Sequence, residues 1–418
     1  MRRKEEYLYV GVDLHKETHT AVLLDCWNEK LDEITFQNKP SEFVKLEKMV
    51  TKYCKKLRKE KGIVLQPVYG LEDAYGYGRS LAVYLLERNY QVKDVNPSLS
   101  NWYRKSAPTT KKNDSYDAQG VAAILINMLD TLPDAKPLDD YWTLAQLVNR
   151  RDNIVTNITR VKNQLNGQLF HAYPSYRKFF TELDRPTALY FWGTYPSPKH
   201  LQGVTVEQLA SELRVKSHNQ CSTKRAQLIL DLIKTDGDTI REFQEERDFI
   251  TRNLVRSLEH QISELLGIEK EIQKMLVHFD CKLTSISGVS IVMAAKLLAE
   301  IGDINRFSSA DKLASYAGIA PIRFSSAGKG NDQISKQGNR TLHGVFYFLA
   351  VQMVETSRGS GIPRNPVFHE YFHRKIAEGK TKPQALICIM RRLVNIIYGM
   401  LKNHTEYRMP ELPKEQAM

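Results

Sequence analysis

Short apolar, β-branched runs alternate with longer amphipathic stretches from Tyr7 to Leu129, and this alternation restricts the fold more than any other feature of the chain. Tyr7 to Asp25 reads as two strands joined across the polar break His15 to Thr18, and Leu31 to Gln37 as a third, because β-branched and aromatic residues suit a pleated surface. Ser41 is placed to cap a helix running to about Lys59, with Phe43, Leu46, Met49 and Val50 on one buried face. A strand over Ile63 to Tyr69, a helix over Gly78 to Arg88, a short strand over Val92 to Val95 closed by Asn96-Pro97, and a helix over Asp114 to Leu129 follow. Strands and helices in this order predict an α/β layer around a central sheet.

Past a linker at Ala135 to Asp139 the period changes. Leu147, Ile154, Ile158, Val161 and Leu165 recur at near-heptad spacing within Tyr141 to His171, interrupted by Arg151; Leu258, Ile262, Leu265, Ile272 and Leu276 do so within about Ile240 to Val277. Two long helices are predicted, paired with each other or with another subunit. Between them Tyr173 to Val215, rich in aromatics and prolines, reads as an inserted or connecting piece.

The last block begins at Leu283. Ile286-Ser287-Gly288-Val289-Ser290, with Ala294 and Leu297, approximates a helix-hairpin-helix pattern, in which a glycine turn at Gly288 and Ser290 offers backbone N–H groups to a phosphate. A Gly/Ser-rich loop, Phe324 to Gly330, and helices around Thr341 to Glu355 and Gln384 to Leu401 complete a mainly α region. A chain of 418 residues exceeds one core. The expected divisions are 1–134, an α/β domain; 135–278, a long-helix, coiled-coil region with an insertion at about 173–220; 279–405, a mainly α domain; and a tail, 406–418.

The net charge is +12, and 13 Lys/Arg face only 4 Asp/Glu between Pro321 and Lys402. Clustering of that kind favours a polyanionic partner, since neutralising phosphates releases condensed counterions. Five scattered cysteines with no CxxC pair suggest neither a disulfide framework nor a zinc site. The charged start Met1 to Tyr9 lacks the apolar core of a secretory signal, no membrane-spanning candidate stands out, and a cytoplasmic location is expected.

Asp13 ends the first apolar strand, Glu72 follows the strand ending at Tyr69, and Asp114 and Asp117 are three apart on one helical face. Carboxylates gathered from separate elements of one sheet domain repel unless cations sit among them, and Mg2+ suits hard oxygen donors that leave room for phosphate oxygens. Two such ions can activate the attacking oxygen and stabilise the leaving oxygen of a phosphodiester. Asp73 and Glu17 are read as bystanders.

The runs Gly11-Val12-Asp13-Leu14-His15-Lys16, Gly70-Leu71-Glu72, Val95-Asn96-Pro97 and Lys112-Asn113-Asp114-Ser115-Tyr116-Asp117-Ala118 resemble the DEDD transposases of bacterial insertion sequences, relatives of the Piv-type DNA invertases. Ala317-Gly318-Ile319-Ala320-Pro321, Ser325-Ser326-Ala327-Gly328 and Ile334-Ser335-Lys336-Gln337-Gly338-Asn339-Arg340 match the family's glycine-rich second half, so the resemblance covers nearly the whole chain. It implies a RuvC-like (RNase H-like) N-terminal domain with its four acids at Asp13, Glu72, Asp114 and Asp117, and a serine that forms a covalent phosphoserine link to DNA. That role falls on Ser326, with Ser325 as the alternative because Ala327 stands where a glycine is usual; His343 stands where the family often has arginine.

Lys329, Lys336, Arg340 and Lys112, together with Gly288 and Ser290, are the expected nucleic-acid contacts. The resemblance further implies donor and target DNA, a structured guide (bridge) RNA encoded by the element, and a homo-oligomer, dimer or tetramer. No GxxxxGK[ST] phosphate loop is present, consistent with strand rejoining that needs no nucleotide cofactor. The alternatives are a RuvC-type structure-specific endonuclease using metal-activated water and, outside enzymes, a non-catalytic nucleic-acid-binding protein.

Overall fold

The computed structural model describes residues 3–62, 64–72, 76–106, 113–135, 137, 139–217, 221–320, 322–326, 329–333, 338–357 and 359–409, and of residues 61, 139, 322–326 and 329–333 the backbone alone. The chain divides into two compact units, Met1–Asp139 and Asp140–Met418.

The first unit is α/β. Strands β1 (Tyr7–Leu14), β2 (Thr18–Leu24) and β3 (Lys30–Gln37) form an antiparallel meander; α1 (Pro40–Lys61) crosses to β4 (Gln66–Glu72), and α2 (Arg79–Leu86) to β5 (Gln91–Asp94). Both crossovers leave parallel strands, so the sheet order is β3-β2-β1-β4-β5. Two further helices, α3 (Pro97–Ser106) and α4 (Asp114–Met128), close the unit.

Alternation along β1 splits the core by face. Leu8, Val10, Val12 and Leu14 pack with Phe43, Leu46 and Val50 of α1, whereas Tyr9 belongs to the opposite layer with Val121, Ala122 and Leu125 of α4. A central strand covered on both sides reads as a nearly continuous apolar run.

Two details differ from the sequence reading. Ser41 does not cap α1: Lys39 holds the N-cap position without a side-chain bond and Pro40 opens the helix, its fixed φ suiting the first turn. Asn96-Pro97 ends β5 but also starts α3, with Asn96 Oδ1 accepting from the Ser98 amide at 2.8 Å.

The second unit is almost wholly helical. Helices α5 (Asp139–Ala172) and α9 (Gln244–His278) are its long members, separated by α6 (Pro186–Thr194), α7 (Val206–Lys216) and α8 (Thr223–Asp236). They run antiparallel within the chain: Leu144 and Val148 of α5 share a core with Ile272 and Leu276 of α9, while Ile158 and Leu165 share another with Val255 and Leu258. Arg151, which interrupts the apolar stripe of α5, donates to Glu269 Oε1 on α9 at 3.0 Å. The aromatic stretch between the long helices extends through α8 and packs into the second of these cores, in which Trp192 stacks on Phe179 at 5.7 Å between centroids.

Helices α10 (Ile291–Ile301), α11 (Ala310–Tyr316), α12 (Arg340–Val354), α13 (Pro366–Ala377) and α14 (Lys382–Asn403) pack around the core that Leu144, Val148, Ile272 and Leu276 share, with strands β6 (Ile322–Ser326) and β7 (Lys329–Gln333) between α11 and α12. Three expectations are corrected here. The Gly/Ser-rich segment is an antiparallel hairpin, β6 paired with β7, rather than a plain loop. The helix-hairpin-helix pattern lacks its first helix: a 3-10 turn, Leu283–Ser285, precedes Gly288. And α14 is long and apolar enough to span a membrane by length and composition, although no such candidate stood out in the sequence; its Ile389, Leu393 and Ile397 are buried in the core, and Arg391 pairs with Asp311 on α11.

Candidate active site

Asp13 and Glu72 lie side by side because β1 and β4 are parallel and in register: Gly11 pairs with Gly70 and Asp13 with Glu72. On each strand the acid follows a glycine by two residues, so glycine and acid share the face that α4 covers. The glycines set how closely α4 approaches. A Cβ at Gly11 would stand 2.1 Å from the Ala118 carbonyl oxygen and 2.3 Å from the Ala122 nitrogen, both backbone atoms of α4; one at Gly70 would meet side-chain atoms of Leu125 and Val121 at 3.0 Å. Only a strand without a side chain at position 11 lets the helix backbone lie against it.

The start of α4 is thereby brought to the strand ends. Asn113 caps it, its side chain accepting from the Tyr116 amide at 2.7 Å, and Asp114 and Asp117 occupy the first turn. That placement also sets two carboxylates at the positive end of the helix dipole. His15 stands between elements, its Nε2 at 3.2 Å from Asp13 Oδ2 and 3.5 Å from Asp114 Oδ1. Arg104 of α3 reaches Asp117 at 3.4 Å and Asn101 Oδ1 at 3.0 Å.

Charge accumulates in this cluster faster than it is offset. Burial pushes the Asp13 carboxyl up from its ordinary value, His15 opposes this, and Asp117 and Asp114 add to the rise. Burial likewise raises Glu72; the Ser100 hydroxyl and, more weakly, Arg104 oppose it, and Asp13 and Asp117 reinforce it. All four predicted acids therefore share one electrostatic neighbourhood.

The donor set suits a divalent metal. Ligand atoms of Asp13, His15 and Asp114 lie within 4.8 Å of one another, and ligands facing each other across a small dication stand about 4 Å apart, so slight contraction would close the set. Such an ion would offset the burial, and the added mutual repulsion, that raise Asp13 and Glu72. Asp13, with its side chain 14% exposed, forms the floor, and Asp114, at 58%, lies open to solvent.

His15, Ser100, Arg104, Gly11 and Gly70 were not singled out from sequence as parts of a site. For the glycines a signal existed: Gly-x-Asp and Gly-x-Glu each end an apolar strand. Asp73 and Lys112 lie outside the described residues. Glu17 takes no part in the acidic group; its carbonyl accepts from the Asn38 amide at 2.8 Å.

In the second unit, Ser325 and Ser326 end β6, paired with Gly330 and Lys329 of β7. Lys336 lies outside the described residues. Arg340 is exposed at the first position of α12, behind Asn339, whose side chain accepts from the Leu342 amide at 2.8 Å and donates to Glu300 at 2.6 Å. Gly338, at φ +107°, fits against Gly318 and Tyr316, so the serine-bearing hairpin returns to α12 through a junction that tolerates no side chain. His343 Nδ1 lies 3.2 Å from the Ala317 carbonyl, placing it in that junction. Gly288 takes a positive φ of 93°, and Ser290 caps α10 by accepting from the Met293 amide at 3.2 Å.

The sequence matches two family models, a DEDD-type IS110 transposase over residues 10–174 and the transposase IS116/IS110/IS902 family over residues 281–373. It is similar to an insertion element IS116 protein of Streptomyces clavuligerus, 25% identical over 96% of each chain. An insertion element IS110 protein of Streptomyces coelicolor is 28% identical over 72% of this chain and 74% of its own. A pilin gene-inverting protein of Moraxella bovis is 28% identical over 58% of this chain and 73% of its own.

Proposed function

Because the chain belongs to the IS110/IS116 family of insertion-sequence transposases and is thus a DNA recombination enzyme, we propose that it cuts and rejoins DNA through a covalent phosphoserine intermediate, with Mg2+ at Asp13, Glu72, Asp114 and Asp117. The observation that carries this reading is the convergence of the four acids, built by the register of Asp13 with Glu72 and the close seating of α4 on Gly11. The five-stranded sheet, antiparallel on one side and parallel on the other with helices on both faces, supports a RuvC-like fold for residues 1–139.

Magnesium bound there supplies positive charge that screens the phosphodiester and makes its phosphorus easier to attack. The chain's own groups do the rest. Asp13, Glu72 and Asp117 anchor the floor of the site, Asp114 lines its open side, and Arg104 orients Asp117. The Ser326 hydroxyl attacks phosphorus while the bond to the sugar oxygen breaks, and in net terms the serine proton ends on the departing sugar hydroxyl; one phosphate ester replaces another, so the released strand end can reverse the step or be replaced by another end without an energy source. Lys329, Lys336 and Arg340 hold the phosphate, with Lys112, Gly288 and Ser290 gripping backbone.

The partners of this reading are donor and target DNA, a structured guide RNA that chooses sequence by base pairing, and further copies of the chain in a dimer or tetramer. The basic surplus between Pro321 and Lys402 suits backbone contacts to either nucleic acid.

Trapping of the covalent adduct tests it. Ser326→Ala is expected to abolish the adduct and Asp13→Asn to abolish cutting while leaving nucleic-acid binding nearly intact. An adduct that survives Ser326→Ala but not Ser325→Ala moves the nucleophile by one residue. Free 5′-phosphate ends, with indifference to both serines, would instead establish hydrolysis by water of the RuvC endonuclease type.

A further inference from the structure

We propose that His369 and His373 of α13 form an open binding site for one zinc-class transition-metal ion, separate from the acidic group. The helix carries the run His369-Glu370-Tyr371-Phe372-His373, two imidazoles at i and i+4. Residues at that spacing share one face of a helix. Here their Nε2 atoms stand 3.2 Å apart, with ring centroids at 4.4 Å and planes inclined by 53°. Two nitrogens bound at about 2.0–2.1 Å to one tetrahedral zinc are about 3.3–3.4 Å apart. The pair, hydrogen-bonded to each other, is thus within about 0.2 Å of the separation one ion imposes.

The helix that presents them is held in place. Asn365, fully buried, caps it by accepting from the Phe368 amide at 3.2 Å; Phe368 is itself buried, and the Arg392 guanidinium of α14 lies 3.6 Å from the centre of the Tyr371 ring. With this turn fixed, little conformational entropy remains to be lost on binding.

Imidazole nitrogens select zinc, cobalt or nickel over magnesium, which prefers oxygen. Among the described residues no third His, Cys, Asp or Glu joins the pair. Glu370 follows the first histidine, as it does in hydrolytic zinc sites with this spacing, but those use a third protein ligand. The structure therefore assigns binding, with water in the remaining positions, and no hydrolysis. His373 is exposed and His369 half-buried, so the ion enters directly from solvent.

The test is a zinc titration of the full chain, run beside Asp13→Asn/Asp114→Asn so that zinc held by the acidic group is accounted for separately, with visible absorption of bound Co2+ as a second readout. The wild type should bind one more equivalent than His369→Ala/His373→Ala. His373→Ala should weaken that equivalent by more than about tenfold and lose the cobalt band, since even ligand-supporting residues are worth 10- to 100-fold. Because His373 is exposed, its removal should leave the zinc-free melting temperature unchanged. Equal zinc stoichiometry and affinity in the wild type and the double variant would overturn the assignment. So would binding that is lost in Asp13→Asn/Asp114→Asn and kept in the histidine variants, which would place the ion at the acidic group.

Discussion

Gly11→Ala should separate catalysis from folding by moving a helix. The new Cβ would lie 2.1 Å from the Ala118 carbonyl oxygen and 2.3 Å from the Ala122 nitrogen, where an ordinary contact is about 3.5 Å. No rotamer relieves a clash with backbone, so α4 must retreat by about 1 Å or more. Overpacking of a core costs about 1–3 kcal/mol. The rigid wall puts Gly11→Ala at about 3 kcal/mol, which at a urea slope of about 1–3 kcal/mol/M lowers the midpoint of the transition involving residues 1–139 by about 1–3 M. The same retreat carries Asp114 and Asp117 away from Asp13, and misplacement by about 1 Å costs about 100-fold in rate. Gly70→Ala is the control, because its Cβ meets only the side chains of Leu125 and Val121 at 3.0 Å; about 1 kcal/mol is expected there. Urea titration and Mg2+-dependent cleavage of labelled DNA measure both effects. If Gly11→Ala matches Gly70→Ala in midpoint and cuts at the wild-type rate, the seating of α4 on a bare strand does not build the site.

The raised carboxyls of Asp13 and Glu72 bind protons more tightly folded than unfolded. Their contribution to stability is therefore complete below the unfolded values of about 4 and is lost as pH rises through the raised folded values. Metal-free protein should thus lose stability over that interval, Asp13→Asn should flatten the loss, and Mg2+ should raise the melting temperature more at pH 8 than at pH 5; an equal Mg2+ effect at both would contradict the acidic-site reading. Trp192→Ala, which empties a fully buried site between Phe179, Phe180 and Phe191, should cost about 3–5 kcal/mol by chemical denaturation while leaving DNA cleavage per folded molecule unchanged. Asn339→Ala removes both the cap of α12 and the bond to Glu300 and should cost about 1–2 kcal/mol, seen in the same titration.

The α/β character of the first unit and the two long helices of the second were legible because each rests on a local period: alternation of two for strands, and about three and a half for helices. Asp13, Glu72, Asp114 and Asp117 were legible as acids at strand ends and on one helical turn for the same reason. Helix α3 was hidden because Asn96-Pro97 was read only as the end of a strand, although Pro at a first helical position also starts helices. The hairpin β6–β7 was hidden by Gly/Ser composition, which marks turns without saying whether their flanks pair. His15 and Arg104 carried no local signal at all, since what matters is which carboxylate each meets, at 3.2 Å and 3.4 Å.

By itself, then, the order of residues determined the alternating strands and helices of the first unit and the two long helices of the second, where the acids and serines fall, and where positive charge accumulates, because those follow from spacing and composition along the chain. Tertiary structure alone decided that β1 and β4 align Asp13 with Glu72 and that α5 pairs with α9 inside the chain. It also decided that Gly11 lets a helix backbone rest on a strand. Register and helix seating depend on contacts between residues far apart in sequence, and steric fit between backbones leaves no trace in any local period.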